Sequence, residues 1–162
     1  MTVDELLARE QIRDLQARYM RGLDRLDADL LRDTFHDDAD LNYGFYAGGP
    51  DAFVAMALGA LGAHEANHHM LGQTLLWIDG DTASGELYFQ AYHRISRDGE
   101  ARDLLISGRY VDRYEKRAGE WRISARAEVN DWSRDDPASD RYFRDQPDQL
   151  RGARAPDDYS YR

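Results

Sequence analysis

Cysteine is absent from the sequence, so the chain can form neither disulfides nor thiolate metal sites. Basic residues are in the minority: 21 lysines and arginines stand against 31 aspartates and glutamates, and the net charge is −10. Nucleic acids and anionic membrane surfaces attract basic patches, so we expect neither as a partner. At 162 residues the chain is long enough to bury a core as a single domain.

Long apolar runs are also missing. The longest, near residues 53–63, contains Gly59 and Gly62 and is shorter than the ~20 residues that span a bilayer. Residues 1–5 are polar and acidic, unlike a secretory signal. Arginine outnumbers the single lysine, Lys116, which is typical of a GC-rich bacterial genome. We therefore expect a cytoplasmic, bacterial protein.

Periodicity predicts helices in the amino-terminal part of the chain. Thr2 is suited to cap a first helix whose apolar residues recur at helical spacing, and Gly22 and Asp24 lie where that helix should end. The pattern also predicts a helix over about 28–35, a short strand over 39–46 and a third helix over about 51–61, which Pro50 precedes.

The next part of the chain predicts an antiparallel sheet. Strands are expected over 73–78, 82–95, 104–114 and 121–130, and residues 79–81 (Asp-Gly-Asp) form a hairpin turn. Helices followed by a meander give an α+β fold in one domain, residues 1–132, with the helices covering one face of the sheet. Residues 133–162 predict an extended polar tail with Tyr142, Phe143 and Leu150 as candidate anchor points.

His69 and Asp24 are the candidate catalytic residues. If the fold brings them together, Asp24 would accept a hydrogen bond from one ring nitrogen of His69, and the other nitrogen would be a base near neutral pH. Simpler roles exist: a half-buried structural histidine, and an ion pair of Asp24 with Arg21 or Arg25. A carboxylate at a helix C-terminus is disfavoured by the helix dipole, which favours a functional role for Asp24.

The reaction class follows from what accompanies this pair. No serine or cysteine lies in a nucleophile-elbow motif, so acyl transfer is disfavoured. Abstraction of a proton, in dehydration, elimination or isomerisation, suits a lone base better. His68 adjoins His69, and in extended backbone the two side chains would point to opposite faces, so only one can enter a given pocket.

A zinc-site motif competes for the same segment. Residues 64–68 (His-Glu-Ala-Asn-His) match the HExxH pattern, which needs both histidines on one helix face and a third ligand. Gly59 and Gly62 weaken a helix here, Leu71 occupies the position of the metzincin glycine, and the downstream acid Glu86 lies in a hairpin. We expect no metal at this motif.

His93 and Arg126 are further candidates for substrate contact. His93 shares the second long strand with Tyr92, and only one of these neighbours can face a concave pocket. Arg126 lies among small and apolar residues on the last strand. If it points inward it should pair with an acid or an anionic ligand; otherwise it lies on the exposed face of the sheet.

Three tyrosines could supply phenol donors to a substrate. Tyr19 lies about 140° around the first helix from Asp24. Tyr43 and Tyr46 belong to the predicted first strand. For at least one of them we expect packing in the core instead.

The order and spacing of several short motifs resemble the SnoaL-like family of the nuclear-transport-factor-2-like superfamily. The resemblance covers roughly residues 5–132. It rests on Asp24 after the first helix, His-Met-Leu-Gly-Gln at 69–73, Asp-Gly-Asp-Thr-Ala at 79–83, Ala-Tyr-His at 91–93, Gly-Arg-Tyr-Val-Asp-Arg-Tyr-Glu at 108–115, and Trp-Arg-Ile at 121–123 before Asp131-Trp132.

This resemblance implies a cone-shaped barrel, in which a strongly curved, mostly antiparallel sheet wraps on the N-terminal helices around a deep apolar pocket. Similar members include scytalone dehydratase, hexachlorocyclohexane dehydrochlorinase and bile acid 7α-dehydratase, which carry a histidine–aspartate dyad, use no cofactor and often form trimers. The dyad matches Asp24 and His69, because the spacing to Gln73 fits His69 and not His68. Tyr19 matches a tyrosine of the bile acid enzyme.

Two other positions match only parts of the family. Arg126 falls where the dehydrochlorinase has a basic residue, and His93 lies near a second histidine of the scytalone enzyme. Outside the dyad, the pocket residues are not those of any one member.

The resulting hypothesis is a cofactor-free, dehydratase-like lyase that acts on a hydrophobic cyclic substrate such as a steroid or a polyketide-like ring. His69 would abstract a proton, Asp24 would orient and charge-stabilise it, and Tyr19 or Arg126 would assist the leaving oxygen or an enolate. We expect a homo-oligomer, with a trimer favoured over a dimer. The alternatives are a non-catalytic small-molecule-binding or assembly module, and an isomerase or cyclase that uses the same base, because this fold serves several functions.

Overall fold

Helix α1 (Val3–Arg25) begins at the predicted cap. In the computed structural model, which describes residues 1–139 and 141–161, the Thr2 hydroxyl accepts a hydrogen bond from the Glu5 backbone N–H at 3.2 Å. The Glu5 carboxylate accepts one from the Thr2 N–H at 2.8 Å. This capping box fixes where α1 starts. Three further α-helices are α2 (Ala28–Arg32), α3 (Pro50–Gly62) and α4 (Arg141–Asp145), and a short 3₁₀ turn covers Tyr159–Tyr161.

The strands form one six-stranded sheet in the order β2-β1-β6-β5-β4-β3. Strand β1 pairs in parallel with β6, and all other pairs are antiparallel. The bounds are β1 (Phe35–Asn42), β2 (Ala47–Gly48), β3 (Ala66–Asp79), β4 (Thr82–Arg97), β5 (Glu100–Arg117) and β6 (Glu120–Pro137). The predicted α+β class is confirmed: the sheet does not close on itself, and the N-terminal helices cover its inner face.

A bulge between β5 and β6 bends the sheet. The pairing register shifts between Ser107 and Gly108, and a Cβ atom on Gly108 would lie 2.3 Å from the Val129 carbonyl oxygen. Only glycine permits this approach, and bulges increase the local bend and twist of a strand. The bend contributes to the curvature that wraps the sheet around α1.

Several predicted boundaries are wrong, among them the end of the second helix, expected near residue 35, and both ends of the first strand, expected over 39–46. Helix α2 ends at Arg32 and β1 starts at Phe35, whereas the acidic run after Phe35 predicts a break. Asp37 and Asp38 are instead exposed residues of β1, and they form ion pairs with Arg32 at 2.6 Å and Arg117 at 2.7 Å. Basic neighbours therefore allow an acidic segment to be a strand.

Strand β3 also begins earlier than predicted, at Ala66. Along this stretch Asn67 is buried while His68 is exposed, as expected where alternate side chains point to opposite faces. The histidines near its start are consequently residues of the strand itself and do not precede it.

The carboxy-terminal residues return to the end of α1. Strand β6 continues past residue 132 and ends at Pro137. The division of the chain into a domain of residues 1–132 and a tail of residues 133–162 stays a prediction. Tyr142 and Leu150 do not anchor the tail, because their side chains are 63% and 85% exposed. Residues 153–161, which we call the strap, contact α1 and the α1–α2 turn instead. No helix among the described residues is long and apolar enough to cross a membrane.

Candidate active site

A cavity of about 220 Å³ lies between the helices and the inner face of the sheet. Its wall is mostly aromatic and aliphatic, with three imidazoles and one carboxyl group as the ionisable side chains besides tyrosine. The lining residues are Tyr19, Leu23, Tyr43, Phe45, Phe53, Met56, Ala57, Ala60, Leu61, His64, His69, Phe89, Ala91, His93, Leu104, Ile106, Tyr110 and Glu128. An apolar cavity with a few convergent polar groups is the usual form of a small-molecule site.

His69 and Asp24 are in direct contact at this cavity. The distance from His69 Nδ1 to Asp24 Oδ1 is 2.7 Å, and the side chains are only 6% and 9% exposed. The same carboxylate accepts from the His69 backbone N–H at 3.0 and 3.2 Å. Because a carboxylate can only accept, His69 carries its proton on Nδ1, and Nε2 keeps a free lone pair.

Helix α1 and strand β3 position this pair. Asp24 is in the last turn of α1, behind the cavity wall, and β3 packs alongside that helix. Of the two adjacent histidines, His69 lines the cavity and His68 is exposed. Strand alternation therefore selects His69.

The HExxH segment does not form a zinc-peptidase site. His64 follows the end of α3 in a bend, and His68 lies on β3, so the two histidines do not share a helix face. Within residues 1–139 and 141–161, no group of three or more histidine, cysteine, aspartate or glutamate side chains is arranged to hold a metal ion. The geometry of HExxH needs a helix that this segment does not form.

Asn67 joins the other two imidazoles of the cavity. Its Oδ1 atom accepts from His64 Nδ1 at 2.9 Å and from His93 Nδ1 at 3.0 Å, while its Nδ2 donates to the Leu61 carbonyl at 3.1 Å. One amide oxygen thereby fixes the proton of both rings on Nδ1. In the neutral form of either ring, the Nε2 atom is then the acceptor.

His93 is a neutral group in this arrangement. Burial, then the charges of His69 and His64, lower its pKa to about 3. Its ring packs edge-on to that of His69, with 5.3 Å between centroids. His93 therefore faces the cavity, and a substrate hydroxyl could donate to it.

The three tyrosines predicted as donors occupy different places. Tyr19 and Tyr43 line the cavity, and their hydroxyl oxygens are 2.9 Å apart. Burial raises the pKa of both. One of the pair donates to the other, which leaves a second proton free to donate elsewhere. Tyr46 is not among the lining residues, because its hydroxyl donates to the Gly49 carbonyl at 2.6 Å in the turn before α3.

Arg126 points inward but lies behind the cavity wall. Its Nε and Nη2 atoms donate to the two oxygens of Asp112 at 2.8 and 2.6 Å, and both side chains are fully buried. The guanidinium carbon is 4.1 Å from the ring centres of both Tyr19 and Tyr110. Arg126 is absent from the cavity lining, so any contact with substrate would run through the tyrosines that it supports.

Glu128 is a cavity residue that the sequence reasoning missed. It lines the cavity, accepts a hydrogen bond from Asn130 at 3.1 Å, and has a pKa raised chiefly by burial. The available signal was spacing: Glu128 is two residues after Arg126 on β6, and strand residues two apart share a face. Asn67 offered no comparable signal, because its role depends on pairing between β3 and β4.

Comparisons with known proteins agree with this architecture. A family model described as "SnoaL-like domain" matches residues 4–127. A scytalone dehydratase-like protein from Novosphingobium aromaticivorans is 20% identical with a TM-score of 0.75, over 86% of this chain and 94% of that one. A hexachlorocyclohexane dehydrochlorinase from Novosphingobium barchaimii is 20% identical with a TM-score of 0.73, over 85% and 94%.

A protein of unknown function from Mycobacterium tuberculosis is also similar, with 25% identity and a TM-score of 0.68 over 79% of this chain and 74% of that one. No curated protein matches the sequence. At these identities the structural likeness shows the fold, which serves enzymes and proteins of unknown function alike.

Proposed function

The chain belongs to the SnoaL-like domain family, and we propose that it is a cofactor-free lyase of the dehydratase type acting on a small hydrophobic ring. The observation that carries this proposal is the 2.7 Å contact between His69 Nδ1 and Asp24 Oδ1 at the wall of an apolar cavity. A buried carboxylate bonded to one ring nitrogen stabilises the imidazolium that forms when the other takes a proton. The dehydratase-like and dehydrochlorinase neighbours support an elimination reaction.

In the proposed reaction His69 Nε2 removes a proton from a carbon of the substrate. The electrons of that C–H bond form a carbon–carbon double bond as the bond to the leaving oxygen breaks. Asp24 keeps the imidazolium oriented and compensates its charge. The departing oxygen takes a proton from the Tyr19–Tyr43 hydroxyl pair, 2.9 Å apart in the cavity, and leaves as water. The phenolate so formed has a raised pKa and recovers a proton, by way of water, from the His69 imidazolium, which restores both groups.

The remaining polar groups would orient the substrate. His93 offers a neutral nitrogen acceptor for a substrate hydroxyl, and the stacked rings of Phe89 and Tyr110, 4.5 Å apart, form an apolar wall. The cavity of about 220 Å³ is smaller than the ~300–1,000 Å³ of typical drug-sized sites. Its size favours one or two rings over a four-ring steroid.

The test is turnover of a panel of cyclic β-hydroxy ketones by the wild type, His69→Gln and His68→Gln. His68 is the matched control, because it is the neighbouring histidine on the opposite, exposed side of β3. We expect His69→Gln to lose at least about 100-fold in kcat, with His68→Gln unchanged. Equal activity of wild type and His69→Gln would remove His69 from the mechanism.

A non-catalytic binding module would give a different result. In that case panel compounds would raise the melting temperature of the wild type without being converted. Migration of a double bond without loss of water would instead identify an isomerase that uses the same base. Either result would overturn the proposed elimination.

A further inference from the structure

The carboxyl end of α1 is closed by residues distant in sequence. A helix leaves its last four carbonyl groups without partners inside the helix. In α1 the Leu26 N–H donates to the first two of these, Gly22 and Leu23, which is an ordinary local cap. The two that remain belong to Asp24, the proposed dyad residue, and Arg25.

The strap supplies both missing donors. Arg154 Nη1 donates to the Asp24 carbonyl at 2.5 Å, and the Ala155 N–H donates to the Arg25 carbonyl at 2.7 Å. Arg25 in turn donates to the Ala153 carbonyl at 2.9 Å. These reciprocal contacts hold the strap at the dyad end of α1.

Side-chain contacts fix the strap at its other end. The Tyr161 hydroxyl donates to Asp27 at 2.6 Å, and the Arg21 guanidinium lies 4.5 Å from the Tyr161 ring centre. Within the strap, Asp158 accepts from the Ala153 and Ser160 N–H groups at 2.9 and 3.0 Å. The strap is therefore held in one conformation by hydrogen bonds within it and to the end of α1.

Arg154 also places a positive charge beside Asp24, because its guanidinium bonds the backbone carbonyl of that residue. Burial lowers the pKa of Arg154, and attraction to Asp24 opposes that effect. The guanidinium remains charged at any working pH. A cation beside the last turn of a helix offsets the negative end of the helix dipole, which otherwise disfavours an aspartate at that place.

We propose that Arg154 is a positioning residue of the His69–Asp24 pair. The strap, which lies outside the family match, completes the site because Arg154 holds the Asp24 carbonyl and its positive charge compensates the Asp24 carboxylate. This inference rests on the proposed function for its effect on turnover. Its effect on the titration of His69 does not depend on any substrate. The strap lies beyond residue 127, where the family match ends.

Charge compensation predicts a direction for the titration of His69. Removing the cation leaves the Asp24 charge less compensated, so the imidazolium of His69 becomes more favourable and its titration midpoint moves to higher pH. The other ionisable groups around the pair remain in place: Arg21, Arg25, His68, His64, His93 and Glu128.

The experiment follows the five histidines by NMR between pH 4 and 9 in the full chain. The spectrum of His69→Gln identifies the His69 signal. We expect Arg154→Gln to raise the His69 midpoint by at least about 0.5 pH unit, and Arg154→Lys, which keeps the charge, to restore most of it. Arg151→Gln is the matched control, because Arg151 is exposed and contacts the Phe143 ring at 3.9 Å.

Turnover supplies the second readout. If the panel contains a substrate, Arg154→Gln should lower kcat about tenfold with its pH profile moved as the midpoint moves. An unchanged His69 midpoint in Arg154→Gln, or an equal shift in Arg151→Gln, would overturn the proposal. If Arg154→Gln does not fold, Tyr161→Phe is the second variant, because it loosens the strap without removing the Arg154 charge. It should raise the titration midpoint of His69 by a smaller amount, and an unchanged midpoint in Tyr161→Phe would also overturn the proposal. If the wild type converts no panel compound but the Arg154 variants shift the His69 midpoint as expected, only the proposed lyase activity is refuted.

Discussion

Removal of the Arg126 side chain is the perturbation whose cost the structure specifies best. Arg126 and Asp112 lie directly opposite each other on β6 and β5, and both side chains are fully buried. The substitution Arg126→Met keeps the volume of the stem but leaves the Asp112 carboxylate buried without its cation. The Tyr114 hydroxyl, which donates to Asp112, would be its remaining partner.

Breaking one half of a buried ion pair costs about 3–5 kcal/mol in proteins. At about 2–4 °C per kcal/mol for a domain of this size, the melting temperature should fall by about 6–20 °C. The loss also removes the cation that lies 4.1 Å from the Tyr19 and Tyr110 rings. Both tyrosines line the cavity, so turnover should fall as well.

The assay is urea unfolding, followed by circular dichroism, of Arg126→Met, of Asp112→Asn and of the double variant. The double variant leaves no unpaired buried charge, so it should be less destabilised than the sum of the single variants. Arg122→Met is the control: the same substitution on the same strand removes exposed ion pairs to Asp33 and Glu120 and should cost under about 1 kcal/mol. A cost below about 1 kcal/mol for Arg126→Met would refute the reasoning.

Two further predictions concern His93 and the packing of α1. The pKa of His93 is lowered from 6.5 to about 3, so the unfolded chain binds this proton more tightly than the folded chain. The stability that neutral His93 contributes is therefore complete above about pH 6.5 and is lost as the pH falls toward 3. His93→Gln should flatten that part of the pH dependence of the unfolding free energy, and an unchanged slope would contradict this. Gly22→Ala places a Cβ 2.8 Å from the Leu31 Cβ and should lower the melting temperature by about 2–12 °C. Gly59→Ala, which meets no atom within 4 Å, should raise the melting temperature slightly, and equal effects of the two alanines would count against the packing explanation.

The predictable part of the structure is the part that depends on local sequence. The bounds of α1 follow from the Thr2 cap and the apolar spacing, and the turn at residues 79–81 follows from its Asp-Gly-Asp sequence. The order of helices followed by a meander was enough for the α+β class. The start of β1 cannot be predicted locally, because its acidic residues are compensated by Arg32, which precedes the strand, and by Arg117, which is distant in sequence.

The site divides in the same way. Strand alternation predicts that only one of His68 and His69 enters the pocket, and the family spacing to Gln73 selects His69. Helix periodicity puts Tyr19 inside. The partner of Arg126 could not be predicted, because Asp112 faces it only in the particular register of β5 and β6. Asn67 and the strap likewise act through contacts that only the assembled fold creates.

The closure of α1 has a consequence for the order in which the chain is made. Asp24 is synthesised early, but the side chain that holds its carbonyl lies 130 residues further on. A chain emerging from the ribosome can therefore form α1 and its local cap long before the end of that helix is complete. Contacts of such wide separation form late because the intervening loop must first be closed. A translation product that ends between Glu128 and Arg154 would thus contain the entire cavity lining but lack the donors to the last two carbonyl groups of α1.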